Sequence, residues 1–173
     1  MKLSIIIVLI PLFFSCGSGN KTIPGKLITI DKAFIDSIKN TSDTTYTKRY
    51  RNNEFVTAEY YLNRKDHTVS QFMKDSGNNI RQVFIEKGGK KLFGAEYYKN
   101  GQLKALLPLD SSGKNSGLAK YYYETGDVRS EGIYKGGFHV GNWKNFDKNG
   151  DIISIDTYDD NGQLIKTNKR SKQ

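Results

Sequence analysis

Cysteine occurs once in the 173 residues, at Cys16, so an internal disulfide is impossible and a multi-cysteine metal site cannot be assembled. Histidine is nearly as scarce. His67 and His139 stand alone, and a lone histidine on a strand more often packs or meets solvent than ligates a metal. No zinc-protease, nucleophile-elbow or phosphate-cradling motif occurs, and no acid/base or nucleophile constellation is visible. Lys87-Gly88-Gly89-Lys90 places glycines beside lysine, but a hairpin turn accounts for them. Asp147, Asn149 and Asp151 have the alternate spacing that opens a calcium loop, yet Gly150 comes too early and no closing glutamate follows. No metal, cofactor or catalytic activity is expected. Leu3 to Phe14 is the one extended apolar run, and it falls short of the roughly 20 residues of a bilayer-spanning helix.

What the chain does have is positive charge, tyrosine and glycine. Net charge is +9, and +8 without Lys2 of the leader. Basic charge serves solubility first and attraction to anionic surfaces second. Nucleic acid is not an expected partner, because the leader argues for export. The 11 tyrosines outnumber the 9 phenylalanines, which suits half-exposed sheet positions where a ring packs and its hydroxyl stays wet.

Met1 to Ser15 reads as a signal peptide: a single basic residue, a short apolar segment, then Phe13-Phe14-Ser15-Cys16-Gly17. This resembles a bacterial lipoprotein signal peptide, with Phe13 where leucine is usual. The resemblance implies that Cys16 receives a diacylglycerol thioether, that cleavage follows Ser15, and that the new amino group is acylated. Several acyl chains anchor stably where one holds only marginally. The lipidated cysteine and a flexible tether occupy residues 16–26. Gly17 is not the aspartate that retains enterobacterial lipoproteins in the inner membrane, so the expected location is the cell envelope at the outer membrane.

Residues 27–45 read as an N-terminal cap. Leu27 to Ile30 suits a strand, Asp31 an N-cap, and Ala33, Phe34, Ile35 and Ile38 a short apolar helical stripe ending near Asn40. This cap is expected to cover the first edge of the strand-rich region beyond it, with a loop over Asn40 to Thr45. From Tyr46 on, turn signals recur. Asn52-Asn53, Ser76-Gly77, Asn100-Gly101, Thr125-Gly126 and Asn149-Gly150 mark one series, with second residues 24, 24, 25 and 24 positions apart. Arg64-Lys65, Gly88-Gly89, Ser112-Gly113 and Gly136-Gly137 fall between them, and Asn161-Gly162 after. One strand and one turn per dozen residues builds an antiparallel meander. Two-residue turns at these sites would pair Tyr50 with Phe55, Tyr98 with Leu103, Tyr123 with Val128, Phe146 with Ile153 and Tyr158 with Ile165. They would also set Arg51 against Glu54 and Lys148 against Asp151. Because the aromatics then change face, turn lengths are expected to differ among repeats. The repeat domain spans 46–165, and 166–173 is expected to be a frayed basic tail.

Tyr134, Gly136, Gly141, Trp143, Phe146, Asn149 and Gly150 resemble the MORN repeat in its bacterial variant form. Gly117, Tyr122 and Gly126 repeat the pattern less fully, and Gly94, Tyr97 and Gly101 form a degenerate copy. The resemblance implies an all-β, elongated, twisted antiparallel meander of stacked hairpins that serves as a scaffold or binding surface. Some bacterial members are called antitoxins. Consecutive tyrosines at 60–61, 97–98 and 121–123 place rings on both faces of such a sheet. Left uncovered, one face would expose aromatics among Lys99, Lys104, Lys120, Lys135 and Lys144. Tyr97, Tyr121, Tyr134, Trp143, Lys120 and Lys144 are the candidate binding residues. The expected role is non-enzymatic binding of another envelope protein. The alternatives are an immunity protein that sequesters a toxin, and a module for anionic lipid or glycan.

Overall fold

The computed structural model describes residues 30–50 and 55–170. The leader, Cys16, the tether, residues 27–29 of the expected first strand, the Asn52-Asn53 turn and residues 171–173 lie outside the described residues. Within them, helix α1 (Lys32–Thr41) precedes eleven strands: β1 (Thr44–Arg49), β2 (Thr57–Asn63), β3 (Thr68–Lys74), β4 (Ile80–Lys87), β5 (Lys90–Tyr97), β6 (Leu103–Pro108), β7 (Gly117–Tyr122), β8 (Val128–Lys135), β9 (Phe138–Phe146), β10 (Ile152–Tyr158) and β11 (Leu164–Lys169). The strands form one open antiparallel sheet in strict sequence order, β1 to β11. The fold is the expected all-β meander with a short N-terminal helix. The expected tail is shorter than the sequence suggests, because Lys166 to Lys169 belong to β11 and pair with β10.

Six of the connections share one geometry, and it is not the two-residue turn. In loops 75–79, 98–102, 110–114, 123–127, 147–151 and 159–163, the N–H of the first residue donates to the carbonyl of the fifth. The N–H of the fourth residue donates back to the carbonyl of the first. The fourth residue has positive φ: Gly101, Gly113, Gly126, Gly150 and Gly162, with Asn78 rather than Gly77 in the remaining loop. This is the three-residue hairpin loop whose last residue is left-handed. An aspartate opens four of the loops. Each of Asp75, Asp110, Asp147 and Asp159 accepts, through Oδ1, the backbone N–H groups two and four residues on. In these four that bonding supports the longer loop, and the loops opened by Tyr98 and Tyr123 adopt it without an aspartate.

At these loops the extra residue moves the expected pairs by one. Leu103 opposes Tyr97, Val128 opposes Tyr122, Ile152 opposes Phe146 and Leu164 opposes Tyr158. Asp147, not Lys148, bonds Asp151, and the Tyr50 N–H donates to Val56. The last hairpins therefore obey the same rule as the others. A register irregularity comes after each of these four loops, on the strand that leaves it. Such a bulge re-aims the strand so that Leu103 and Leu106, or Ile152 and Ile155, share one face. True two-residue turns occur at Gly88-Gly89 and Gly136-Gly137, both glycines having positive φ.

Cross-strand partners share a face, so the register sorts the side chains. Phe72, Val83, Ala95 and Leu106 are successive partners, all nearly or wholly buried. Ile85, Phe93, Tyr97 and Ile30 complete their cluster. Helix α1 lies on it through Phe34, Ile35 and Ile38, with the Phe34 and Phe93 rings 6.2 Å apart. The Asp31 carboxylate caps the helix by accepting from the Phe34 N–H at 2.8 Å. The expectation that this segment covers the first sheet edge is thus corrected: it covers a face. An edge offers only backbone N–H and C=O groups, while the helix's apolar stripe needs apolar area. β1 remains an edge strand.

Candidate binding face

The face opposite α1 bears no helix among the described residues. Tyr46, Tyr60, Gln71, Phe84, Gly94 and Leu107 are successive partners along it, crossing from β1 to β6. Two adjacent rings are separated from Phe84 by the polar Gln71, and Gly94 and Leu107 follow. Tyr46 and Tyr60 stack with centroids 4.5 Å apart, and the Lys48 ammonium sits 5.3 Å from the Tyr60 centroid. The Phe84 ring lies over Gly94, where a Cβ would stand 3.1 Å from it.

Farther along the same face, Trp143 is buried at the centre of a cluster. Its ring covers Gly132, where any Cβ would overlap the indole. The indole N–H donates to the Ile133 carbonyl at 3.2 Å, where the β8–β9 register is irregular. Tyr134 packs edge-on at 5.0 Å, His139 at 4.0 Å and Tyr121 at 6.2 Å, and Tyr158 closes on His139 at 5.0 Å. The His139 Nε2, Tyr134 hydroxyl and Tyr121 hydroxyl form a hydrogen-bonded chain with 2.8 Å links. Exposed Arg129 lies over the Tyr121 ring, 5.8 Å from its centroid. Burial, then the Tyr134 hydroxyl, pushes the Tyr121 phenol above its ordinary range.

Burial also holds the His139 pKa below its ordinary value. An unfolded histidine titrates near about 6.5, so on acidification the unfolded chain takes up this proton first. Stability from this group is fully present above that pH and declines as pH falls from there toward the lower folded value. We expect the melting temperature of the wild type to drop between pH 7 and pH 5 by more than that of His139→Gln. Equal drops in calorimetry would exclude a neutral, packed His139.

The six candidate residues divide between the faces. Tyr121, Tyr134 and Trp143 meet in the cluster just described. Lys120 and Lys144 lie on the helix face beyond the reach of α1, flanking Glu131 at 3.0 and 3.7 Å. Tyr97 is in the core beneath α1, 7% exposed. Its hydroxyl finds no hydrogen-bond partner among the described residues, and burial raises its pKa. Tyr97→Phe should therefore leave the protein as stable or more stable, by up to about 1 kcal/mol, in chemical denaturation. Of the basic residues that accompany the open face, Lys104, paired with Glu96 at 3.1 Å, was among those the sequence named, while Lys48, Lys91 and Arg129 were missed. Arg129 is the extra residue of a bulge, and no period-2 count finds it.

Tyr98 and Tyr123 lie on neither face. They open two of the three-residue loops where aspartate stands in others, and their hydroxyls donate to the Tyr122 and Phe146 carbonyls at 2.8 and 2.7 Å. Each ties its loop to the next loop along the same sheet edge. Asn100 adds a bond to the Glu124 carbonyl at 3.1 Å.

Residues 116–135 and 140–160 match the family model for the MORN repeat variant. The two matched blocks carry the hairpins β7–β8 and β9–β10, so the MORN-variant units hold Tyr121, Gly132, Tyr134, Trp143 and Tyr158. No curated protein matches the chain. Among solved structures, TarM matches with 10% identity and a TM-score of 0.36, over 62% of this chain and 23% of that one. A mutant TarM of S. aureus with Fondaparinux, alpha-GlcNAc-glycerol and UDP gives the same values. Accessory secretory protein 1, 2 and 3 of Streptococcus pneumoniae matches with 12% identity and a TM-score of 0.36, over 75% of this chain and 23% of that one. The chain thus spans about a quarter of the length of these proteins.

No group of three or more metal-ligating side chains is placed to hold an ion among the described residues. No helix among them is long and apolar enough to cross a membrane.

Proposed function

We propose that this protein is a lipid-anchored, non-enzymatic docking module of the bacterial cell envelope, which holds another envelope protein against its open, aromatic sheet face. The observation that carries the reading is the asymmetry of the two faces. One is closed over β3–β6 by α1, while the other offers half-buried rings from Tyr60 to Tyr158 with Lys48, Lys91 and Arg129 among them. Half-exposed aromatics and arginine are the side chains that most often dominate binding energy at interfaces. The leader ending in Ser15-Cys16 supports the anchor. Anchoring confines the module near its partner and raises the effective concentration.

Two variants on opposite faces of the sheet test the docking surface. With the tagged chain pulled down from envelope extracts, Leu107→Asp on the open face should release the partner. Leu118→Asp on the helix face, beyond α1, should retain it. Retention by Leu107→Asp, or release by both, contradicts the docking surface. The anchor is tested separately: Cys16→Ser should move the chain from the detergent to the aqueous phase, and continued detergent partitioning would contradict lipidation.

A further inference from the structure

Tyr60, Gln71 and Phe84 are neighbours on three adjacent strands of the open face. The outer two rings lean away from the middle residue. Tyr60 stacks on Tyr46, and Phe84 lies over Gly94. A recess of about 150 Å³ results, lined by Tyr60, Val69, Gln71, Phe84, Glu86 and Lys91. Strands about 4.8 Å apart separate the Tyr60 and Phe84 backbones by about 9.6 Å, and the outward lean of the rings widens the gap above Gln71, which leaves room for one flat ring. The floor and rim are polar. Gln71 spends its amide N–H on the Met73 sulfur, a weak acceptor. Among the described residues the side chains of Glu86 and Lys91 form no ion pair or hydrogen bond, although Glu86 and Lys91 are cross-strand partners.

We infer that this recess is a binding site for a gluco-configured β-hexopyranose, the terminal or internal unit of a glycan. Such a ring has flat C–H surfaces on both sides and hydroxyls around its edge. The C–H surfaces fit between Tyr60 and Phe84. The equatorial hydroxyls meet the Gln71 carboxamide below and the Glu86 carboxylate at the rim, while Lys91 also lines the recess, its ammonium lying beside Gly113. Pockets of this kind, apolar walls with a few placed polar groups, fix the orientation of a small ligand. The site goes beyond the protein-docking reading and does not depend on it. It lies at the β2–β5 end of the sheet, away from the Trp143 cluster, and needs neither the anchor nor a protein partner.

The test is an NMR titration of the purified full chain with methyl β-D-glucopyranoside and, separately, methyl β-D-galactopyranoside. The expected result is saturable shifts of the Tyr60, Gln71, Phe84 and Glu86 amides, with a Kd on the order of 1 mM, as suits a single small sugar. The galactoside, whose axial hydroxyl spoils one flat face, should bind at least about fivefold more weakly. Gln71→Leu and Tyr60→Ala should each weaken binding about tenfold or more. Gly94→Ala, which presses on Phe84 from behind, should weaken it too. Unchanged Trp143 fluorescence verifies that each variant is folded. Three results would overturn the inference: no saturable shift at about 50 mM glucoside, well above the expected Kd, equal response to both sugars, or wild-type affinity in folded Gln71→Leu and Tyr60→Ala. A recess that accepts only a partner's protein side chain would give the first of these.

Discussion

Replacing Gly132 with valine should destabilise the protein by about 3 kcal/mol or more and expose its tryptophan. The indole of Trp143 lies directly over the Gly132 backbone, so any side chain there overlaps the ring. Trp143 is 4% exposed and held by its bond to the Ile133 carbonyl. Overpacking costs about 1–3 kcal/mol where neighbours can give, and expelling an aromatic adds the loss of its burial. Trp143 is the only tryptophan, so its emission reports this site alone. We expect a red-shifted emission maximum for folded Gly132→Val at room temperature and a lower urea midpoint. Gly94→Ala is the control. A Cβ there meets Phe84 at 3.1 Å, and Phe84 is half-exposed and free to yield, so its cost should stay below about 1 kcal/mol. Equal effects at the two glycines would show that Trp143 does not seat on Gly132.

Phe72→Ala should be the most costly single truncation on the other face, at about 3–5 kcal/mol. Phe72 is fully buried, the largest side chain so placed, and packs edge-on against Tyr61 at 5.1 Å. It sits in the cluster on which Phe34, Ile35 and Ile38 of α1 rest, so the cavity would open beneath the helix. Domains of this size are stable by only about 5–15 kcal/mol, and a loss of this size is visible in both urea and thermal unfolding. Because the two faces share backbone but not side-chain contacts, Phe72→Ala and Trp143→Ala should be nearly additive. A Phe72→Ala variant within about 1 kcal/mol of wild type, far below the usual cost of such a cavity, would mean that α1 does not close this face.

The meander was legible because its reversals are written in residues that have few other uses. Gly88-Gly89, Gly136-Gly137 and the Asn-Gly pairs all fall between strands, as their spacing predicts. The register was misread by one residue because a dipeptide does not say how many residues a loop holds. In four loops the signal was the aspartate two or three positions earlier, at 75, 110, 147 and 159, which accepts two backbone N–H groups. The loops opened by Tyr98 and Tyr123 reach the same geometry without one. Helix α1 was legible from Asp31 and the Phe34–Ile38 stripe, but its seat was not, since an amphipathic pattern names a face without naming what covers it. The candidate surface was half legible. Tyr121, Tyr134 and Trp143 converge as aromatics on one face should. Lys120 and Lys144 turned to the other face because adjacent strand positions alternate. The recess at Gln71 left no mark in the sequence, because it arises from the directions in which Tyr60 and Phe84 lean.

Leu106 and Leu107 are consecutive in β6 and point to opposite faces, one beneath α1 and one on the proposed docking surface. Thiol-labelling rates of Leu106→Cys and Leu107→Cys, each in a Cys16→Ser background under native conditions, test the open face directly. The account predicts that the cysteine at 107 reacts readily, without prior opening of the fold. The cysteine at 106 should react at least about a hundredfold more slowly, limited by local opening. Comparable protection at both positions would contradict it, because a second layer would then cover the face on which docking and sugar binding depend.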